Sequence, residues 1–354
     1  EEYLQKYKES IANPEGFWAN IAEANFWHQK WDNVLDWRFE GPDAPYVKWF
    51  EKGKLNITEN IFERNMFMRK NQIALIWEPN NPEEKEVKLT YGELFDRVKQ
   101  FANSLLKAGV KKGDRVAIYL PMIPELTIAM LACARIGAIH SIVFAGFSAS
   151  ALADRINDSS CSLIITSDGA YRGAKTIPLK SIVDEALENC PSIKNSIVFK
   201  RTGEEIEFQN ERDIWWHDFI DGVSFENDAE IMDSEDTLFI LYTSGSTGKP
   251  KGVLHTTAGY MVYTEYTFKN VFQYNDGDIY WCTADIGWVT GHSYIVYGPL
   301  LAGATSVMFE GVPTWPDAGR FWEIVDKFKV NQFYTAPTAI RALLAEGNSW
   351  VNKQ

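Results

Sequence analysis

The 354-residue chain has only four cysteines and five histidines. Cys133, Cys161, Cys190 and Cys282 lie far apart, with no CxxC pair and no histidine cluster beside them. That spacing speaks against a zinc site or a disulfide framework and points to free thiols buried in a reducing, cytoplasmic setting. No protein-held metal site is expected. Positive charge is also scarce: 35 Lys and Arg stand against 48 Asp and Glu, a net charge of −13. Such a balance argues against nucleic acid as the main partner. An anionic ligand must therefore be met by a local cluster of cations. No apolar run is long enough to span a membrane, so no membrane partner is expected, nor is a signal peptide. The first residue, Glu1, is not methionine and reads as the start of a trimmed chain. Nothing in the sequence marks an oligomeric state.

Aromatic residues, in contrast, are abundant at 14%, with 13 Trp. Trp18, Phe26, Trp27, Trp31, Trp37 and Trp49 crowd the first 50 residues. Base stacking would need a basic groove as well, which the segment lacks, so a packed aromatic wrap on a larger body is expected. From about residue 85 apolar runs alternate with amphipathic ones. Thr90 and Glu93 form a capping box, after which Leu94, Val98, Phe101, Ala102 and Leu105 share one helical face. Gly109 stands where that helix stops. DRVAIYLP, HSIVFAG, SLIITSD and SIVFK read as strands; ELTIAMLACARIGA, SASALADRINDS and PLKSIVDEALENC read as helices between them. Residues 201–235 look irregular, with Trp215 and Trp216 adjacent. DTLFILYTSG, IYWCTAD, TSVMFEG and NQFYTAP resume the strands, and HSYIVYGPLLAG, FWEIVDKF and TAIRALLAEG the helices. The alternation predicts an α/β fold of mainly parallel, helix-covered sheets. Three segments are expected: an aromatic wrap over 1–84, a first α/β unit over 85–235 and a second, incomplete one over 236–354.

One stretch carries chemistry. YTSGSTGKPKG, residues 242–252, is expected to run from a strand through a loop into a helix around AGYMVYTEYTFKNVF. Glycines let backbone N–H groups turn toward an anion. Hydroxyls of Thr243, Ser244, Ser246 and Thr247 add donors, and Lys249 or Lys251 adds charge. It is not a Walker A loop, since two residues, not four, separate Gly245 from Gly248, and Pro250 follows Lys249.

The stretch resembles the phosphate loop of the adenylate-forming superfamily, which includes acyl-CoA synthetases, adenylation domains and luciferases. The resemblance implies that Thr243, Ser244, Gly245, Ser246, Thr247, Gly248 and Lys249 hold the ATP phosphates with Mg²⁺, Lys249 acting catalytically. TADIGWVTGHSYIVYGPLLAGATSVMFEGVPTWP, YTAPTAIRALLAEG, VFAGFS and GKLNITEN are similar to AMP-forming acetyl-CoA synthetases in particular. By that resemblance Val289 and Thr290 border the acyl pocket, where β-branched walls leave room for a methyl group. Arg172, Gly173, Ala174 and Lys175 match coenzyme A contacts, as do Thr290 and Thr314. Lys175 stands where the family has a second arginine and Thr314 where it usually has Asn. The implied activity is a ligase joining acetate to coenzyme A through acetyl-adenylate. A propionate ligase and a non-catalytic nucleotide-binding relative are the alternatives. The resemblance also implies a ribose-holding aspartate and a C-terminal lid domain with its own lysine, both beyond residue 354, so this chain alone is expected to be inactive. His255 is not expected to act as a base, because acetate needs no deprotonation. His292 reads as a hydrogen-bonded structural residue, and Asp285 and Glu310 as polar groups at strand ends.

Overall fold

The computed structural model describes residues 1–243 and 249–353. Among them, two sheets dominate. The larger has seven strands in the order Asp213–Trp215, Asn195–Phe199, Leu163–Ser167, Arg115–Tyr119, Ile139–Ile142, Thr237–Thr243 and Lys251–Thr256. Every neighbouring pair is parallel except the last. The strand runs RVAIY and LIITS are apolar on both faces because both faces are covered. Val116, Ile118, Leu163 and Ile165 join the core shared with the helices Tyr91–Lys107 and Pro124–Arg135. Ala117, Tyr119 and Ile164 point the other way, onto the helices Ala149–Ser159 and Leu179–Leu187.

The capping box forms as predicted: Glu93 N donates to Thr90 Oγ1 at 3.2 Å and Thr90 N to the Glu93 carboxylate at 2.8 Å. Leu94, Val98, Phe101, Ala102 and Leu105 are all fully buried. Gly109, at φ +87°, takes the left-handed turn after the helix.

The smaller sheet has five strands, ordered Gln332–Tyr334, Ile279–Cys282, Thr305–Phe309, Ile73–Glu78 and Val87–Thr90. The expected boundaries at 85 and 236 do not separate these sheets. Ile73–Glu78 pairs in parallel with Thr305–Phe309, and Thr237–Thr243 completes the large sheet beside Ile139–Ile142. Periodicity identifies a strand but not its neighbour, because pairing is decided by contacts remote in sequence.

Two stretches carry more structure than expected. The helix expected around AGYMVYTEYTFKNVF forms, over Thr257–Val271, but a strand not expected from the sequence precedes it: Lys251–Thr256 pairs antiparallel with Thr237–Thr243, Thr243 facing Lys251. HSYIVYGPLLAG is helical as expected, though not as one regular α-helix. A short turn Val289–Gly291 leads into a π-helical stretch His292–Tyr297 and then Gly298–Leu301. Pro299 has no N–H to continue an α pattern. Gly298 lets two backbones meet, since a Cβ there would lie 2.6 Å from Ser293 O and 3.1 Å from Thr264 O.

Of the N-terminal aromatics Trp18, Phe26, Trp27, Trp31, Trp37 and Trp49, Phe26 and Trp37 are exposed, and the others pack in two clusters. Trp18 meets Trp49 and Tyr266 edge-on, with ring centroids 6.1 and 5.5 Å apart. Trp27, Trp31 and Phe50 form a second cluster. Residues 201–235, expected to be irregular, supply the edge strand Asp213–Trp215 and the short helix Trp216–Ile220, because Trp216 is buried there and stacks on Phe101 at 4.1 Å.

Candidate functional site

The carboxyl ends of strands from both sheets open onto one cleft of about 180 Å³. Met122 follows the strand Arg115–Tyr119, and Phe144, Ala145 and Gly146 follow Ile139–Ile142. From the smaller sheet come Thr283, Ala284 and Asp285, after Ile279–Cys282, and Glu310, Gly311 and Val312, after Thr305–Phe309. A crevice outside the carboxyl ends of parallel strands is where α/β sheets bind ligands.

Arg172 lines this cleft, its guanidinium 5.6 Å over the ring of Phe144. It stands on a small antiparallel hairpin, Ala170–Arg172 with Lys175–Ile177, in which Arg172 faces Lys175. Both cations are exposed. Gly173 at the turn has φ +61°, and a Cβ there would sit 3.3 Å from Val312 and 3.4 Å from Trp315. The turn therefore packs on the segment that carries Thr314, which is exposed. Arg172, Gly173, Ala174, Lys175 and the Thr314 loop are side by side.

Val289 and Thr290 begin the helical turn that leaves the cleft at Asp285. Gly287 N donates to Asp285 Oδ1 at 2.7 Å and Trp288 N to Asp285 O at 3.1 Å, a tight reversal. The Trp288 ring lies 6.1 Å from Phe144. Val289 is 46% exposed and Thr290 half-buried. Burial pushes the Asp285 carboxyl up to about 6, while the Gly287 N–H and the Arg172 charge act against the rise.

Thr243 is exposed at the end of its strand. Phe239 pairs with His140 in the neighbouring parallel strand, so Thr243 comes level with Phe144 at the same carboxyl edge. Lys249 is exposed where the chain returns. Ser244, Gly245, Ser246, Thr247 and Gly248 lie outside the described residues.

Of a polar frame behind the cleft, Glu310 had been singled out in the sequence as a polar group at a strand end, whereas Arg201, Glu84, Asp168 and Asn80 had not. Arg201 donates to Glu310 at 2.8 and 2.6 Å and to Glu84 at 3.1 and 2.8 Å. Its guanidinium also lies over the rings of Trp77 and Tyr171, 5.1 and 4.8 Å from their centroids. Burial raises the Glu310 carboxyl from its ordinary range, and the Arg201 charge opposes this. Asp168 accepts from the backbone of Gly169, Arg201, Thr202 and Gly203. Asn80 bonds to both backbone groups of Gly173. The available signal was position: Asn80 and Arg201 each come two residues after a strand end, where loops carry function.

His255 stacks on Phe239 at 4.2 Å, and burial lowers its pKa. His292 is fully buried, its Nδ1 3.1 Å from Trp288 O. Among the described residues no three His, Cys, Asp or Glu side chains come together as a metal site, and no described helix is long and apolar enough to cross a membrane.

Residues 62–354 match the model of the AMP-binding enzyme family. The chain belongs to that family. Its residues 3–61 match the acetyl-coenzyme A synthetase N-terminus. Similar proteins named acetyl-coenzyme A synthetase include that of Magnetococcus marinus, 55% identical over 352 residues, which are 99% of this chain and 54% of the relative. That of Syntrophobacter fumaroxidans is 57% identical over 349 residues, 99% of this chain and 53% of the relative. That of Halorhodospira halophila is 54% identical over 354 residues, 100% of this chain and 54% of the relative. The chain spans about half the length of the curated relatives it matches. Membership fits the α/β architecture of mainly parallel, helix-covered sheets expected from the strand and helix alternation.

Proposed function

We propose that this chain supplies the acid-, phosphate- and coenzyme A-facing part of an acetate–CoA ligase. The observation that carries the reading is the single cleft. The Arg172 hairpin and the Asp285–Thr290 turn meet there, and the strand leading to the glycine loop ends at the same edge. Full-length similarity along this chain to proteins named acetyl-coenzyme A synthetase supports the choice of acid and acceptor.

The acetate carboxylate, ionised at neutral pH, attacks the α-phosphate of ATP. Pyrophosphate leaves and acetyl-adenylate forms. The coenzyme A thiol then attacks the acetyl carbonyl and AMP leaves. Catalysis of the first step is chiefly positioning and electrostatic stabilisation. Thr243, Lys249 and the loop 244–248 hold the phosphates, with magnesium arriving alongside the nucleotide. Val289 and Thr290 wall the acyl group. Arg172 and Lys175, with Gly173, Ala174, Thr290 and Thr314, face coenzyme A. In a chain of net charge −13 such local cations must do the attracting. Lys175 supplies charge without the bidentate fork of arginine. The four buried free cysteines support a reducing, cytoplasmic setting.

The test is acetate-dependent exchange of labelled pyrophosphate into ATP, without coenzyme A, by the full-length protein. Exchange that falls with larger acids supports the reading. Faster exchange with propionate keeps the chemistry and changes the acid. ATP binding with no exchange for any short acid overturns it in favour of a non-catalytic relative. The 354-residue chain alone is expected to make no acetyl-CoA.

A further inference from the structure

The hairpin that carries Arg172 and Lys175 is too small to hold its own orientation. It is an isolated two-stranded sheet of three residues per strand, and such ribbons are marginal in water. Its direction must come from outside contacts. Val312 and Trp315 pack against its turn, and Asn80 hydrogen-bonds to it. The Asn80 carboxamide donates to Gly173 O at 2.9 Å and accepts from Gly173 N at 2.9 Å. Both ends of the amide are used, so its orientation is fixed by its partners. Asn80 is 2% exposed. Its own N–H donates to Glu310 Oε2 at 3.2 Å, and Glu310 is clamped by Arg201, which also lies over Tyr171 of the hairpin. The chain of contacts runs from the end of the strand Ile73–Glu78 in the smaller sheet to a turn 93 residues further along the sequence.

We propose that Asn80 is a positioning residue for coenzyme A: it fixes the Gly173 turn so that Arg172 and Lys175 present their charges at the cleft in one arrangement. The inference rests on the coenzyme A reading of that hairpin. Long cationic side chains lose rotamer freedom on binding an anion. An anchored backbone limits the further loss from ordering the turn itself, the benefit of preorganisation.

The experiment uses the full-length protein with Asn80→Ala, Asn80→Ser, Arg172→Ala and the Asn80→Ala/Arg172→Ala pair. Asn80→Ala should raise the KM for coenzyme A about tenfold, the size of one net hydrogen bond. Acetate-dependent pyrophosphate exchange, which needs no coenzyme A, should stay near its parent rate. Asn80→Ser, whose hydroxyl can serve one of the two Gly173 groups, should give an intermediate KM. The double variant should fall short of the product of the single effects, because both act through one hairpin. A merely structural asparagine would not produce that coupling. The proposal is overturned if both Asn80 variants keep the parent KM for coenzyme A. It is equally overturned if both lose exchange and thioester formation in proportion, or if the effects of Asn80→Ala and Arg172→Ala simply multiply. An Arg172→Ala protein with unchanged KM for coenzyme A would instead remove the underlying reading of the hairpin.

Discussion

His140 Nε2 and the Tyr297 hydroxyl lie 2.8 Å apart, both fully buried, and tie a central strand of the large sheet to the π-helical stretch that follows Val289 and Thr290. Around them His140, His292 and His255 gather about Phe239. Burial is the chief cause of a lowered pKa in all three, and it holds His292 down to about 4 from 6.5. Between those two pH values the unfolded chain binds the extra proton, so this contribution to stability is full above pH 6.5 and lost as pH falls toward 4. Asp285, raised from 3.8 to about 6, works in the opposite direction over much of the same window. His292→Gln should therefore gain stability relative to the parent on acidification, by up to about 3 kcal/mol, whereas Asp285→Asn should lose it. Urea midpoints at pH 7 and 4.5 read the difference. Parallel profiles for parent and His292→Gln would contradict the assignment.

Lys249→Ala should slow the first half-reaction. Removing one group that stabilises developing charge costs on the order of 100-fold in rate. Acetate-dependent pyrophosphate exchange in the full-length protein measures it directly. An unchanged rate would leave Lys249 without the role proposed here.

Val289→Ala should open the acyl wall. One methylene in an apolar pocket is worth roughly 1–3 kcal/mol of discrimination. The ratio of kcat/KM for propionate over acetate should then rise about tenfold or more. If the ratio stays at the parent value, the wall is built from other residues.

Glu78 should matter more to stability than any exposed ion pair. It is fully buried, accepting from Arg320 at 2.6 Å and Lys327 at 2.8 Å, and joins the strand Ile73–Glu78 to the helix Arg320–Phe328. Glu78→Ala leaves Arg320, itself 3% exposed, without its carboxylate, a loss of about 3–5 kcal/mol. Thr90→Ala removes only one side of a capping box and should cost about 1 kcal/mol. Chemical unfolding of the two variants tests the order, and equal losses would refute it.

The helix Tyr91–Lys107 was legible because every local signal agreed: the cap, the apolar stripe and the stop at Gly109. The candidate residues near the glycine loop were legible for a similar reason, since small, hydroxylated and cationic types follow one another there. The strand Lys251–Thr256 was not. Its exposed edge position gives KGVLHT no buried apolar run, and its identity comes from pairing with Thr237–Thr243. Asn80 and Arg201 were hidden likewise, because an asparagine or arginine in a loop has no meaning until its partner is known.

By itself the sequence determined many of the helices and buried strands, the net acidity against which local cations must work, and a short glycine-rich motif that suits an anion. Those properties depend on neighbours within a few turns of chain. The tertiary structure decided which strands share a sheet, that Lys251–Thr256 pairs back onto Thr237–Thr243, and that a turn at Gly173 rests on Asn80 from 93 residues away. Such choices follow from burial and hydrogen-bond satisfaction across the whole core, which no local run of residues encodes.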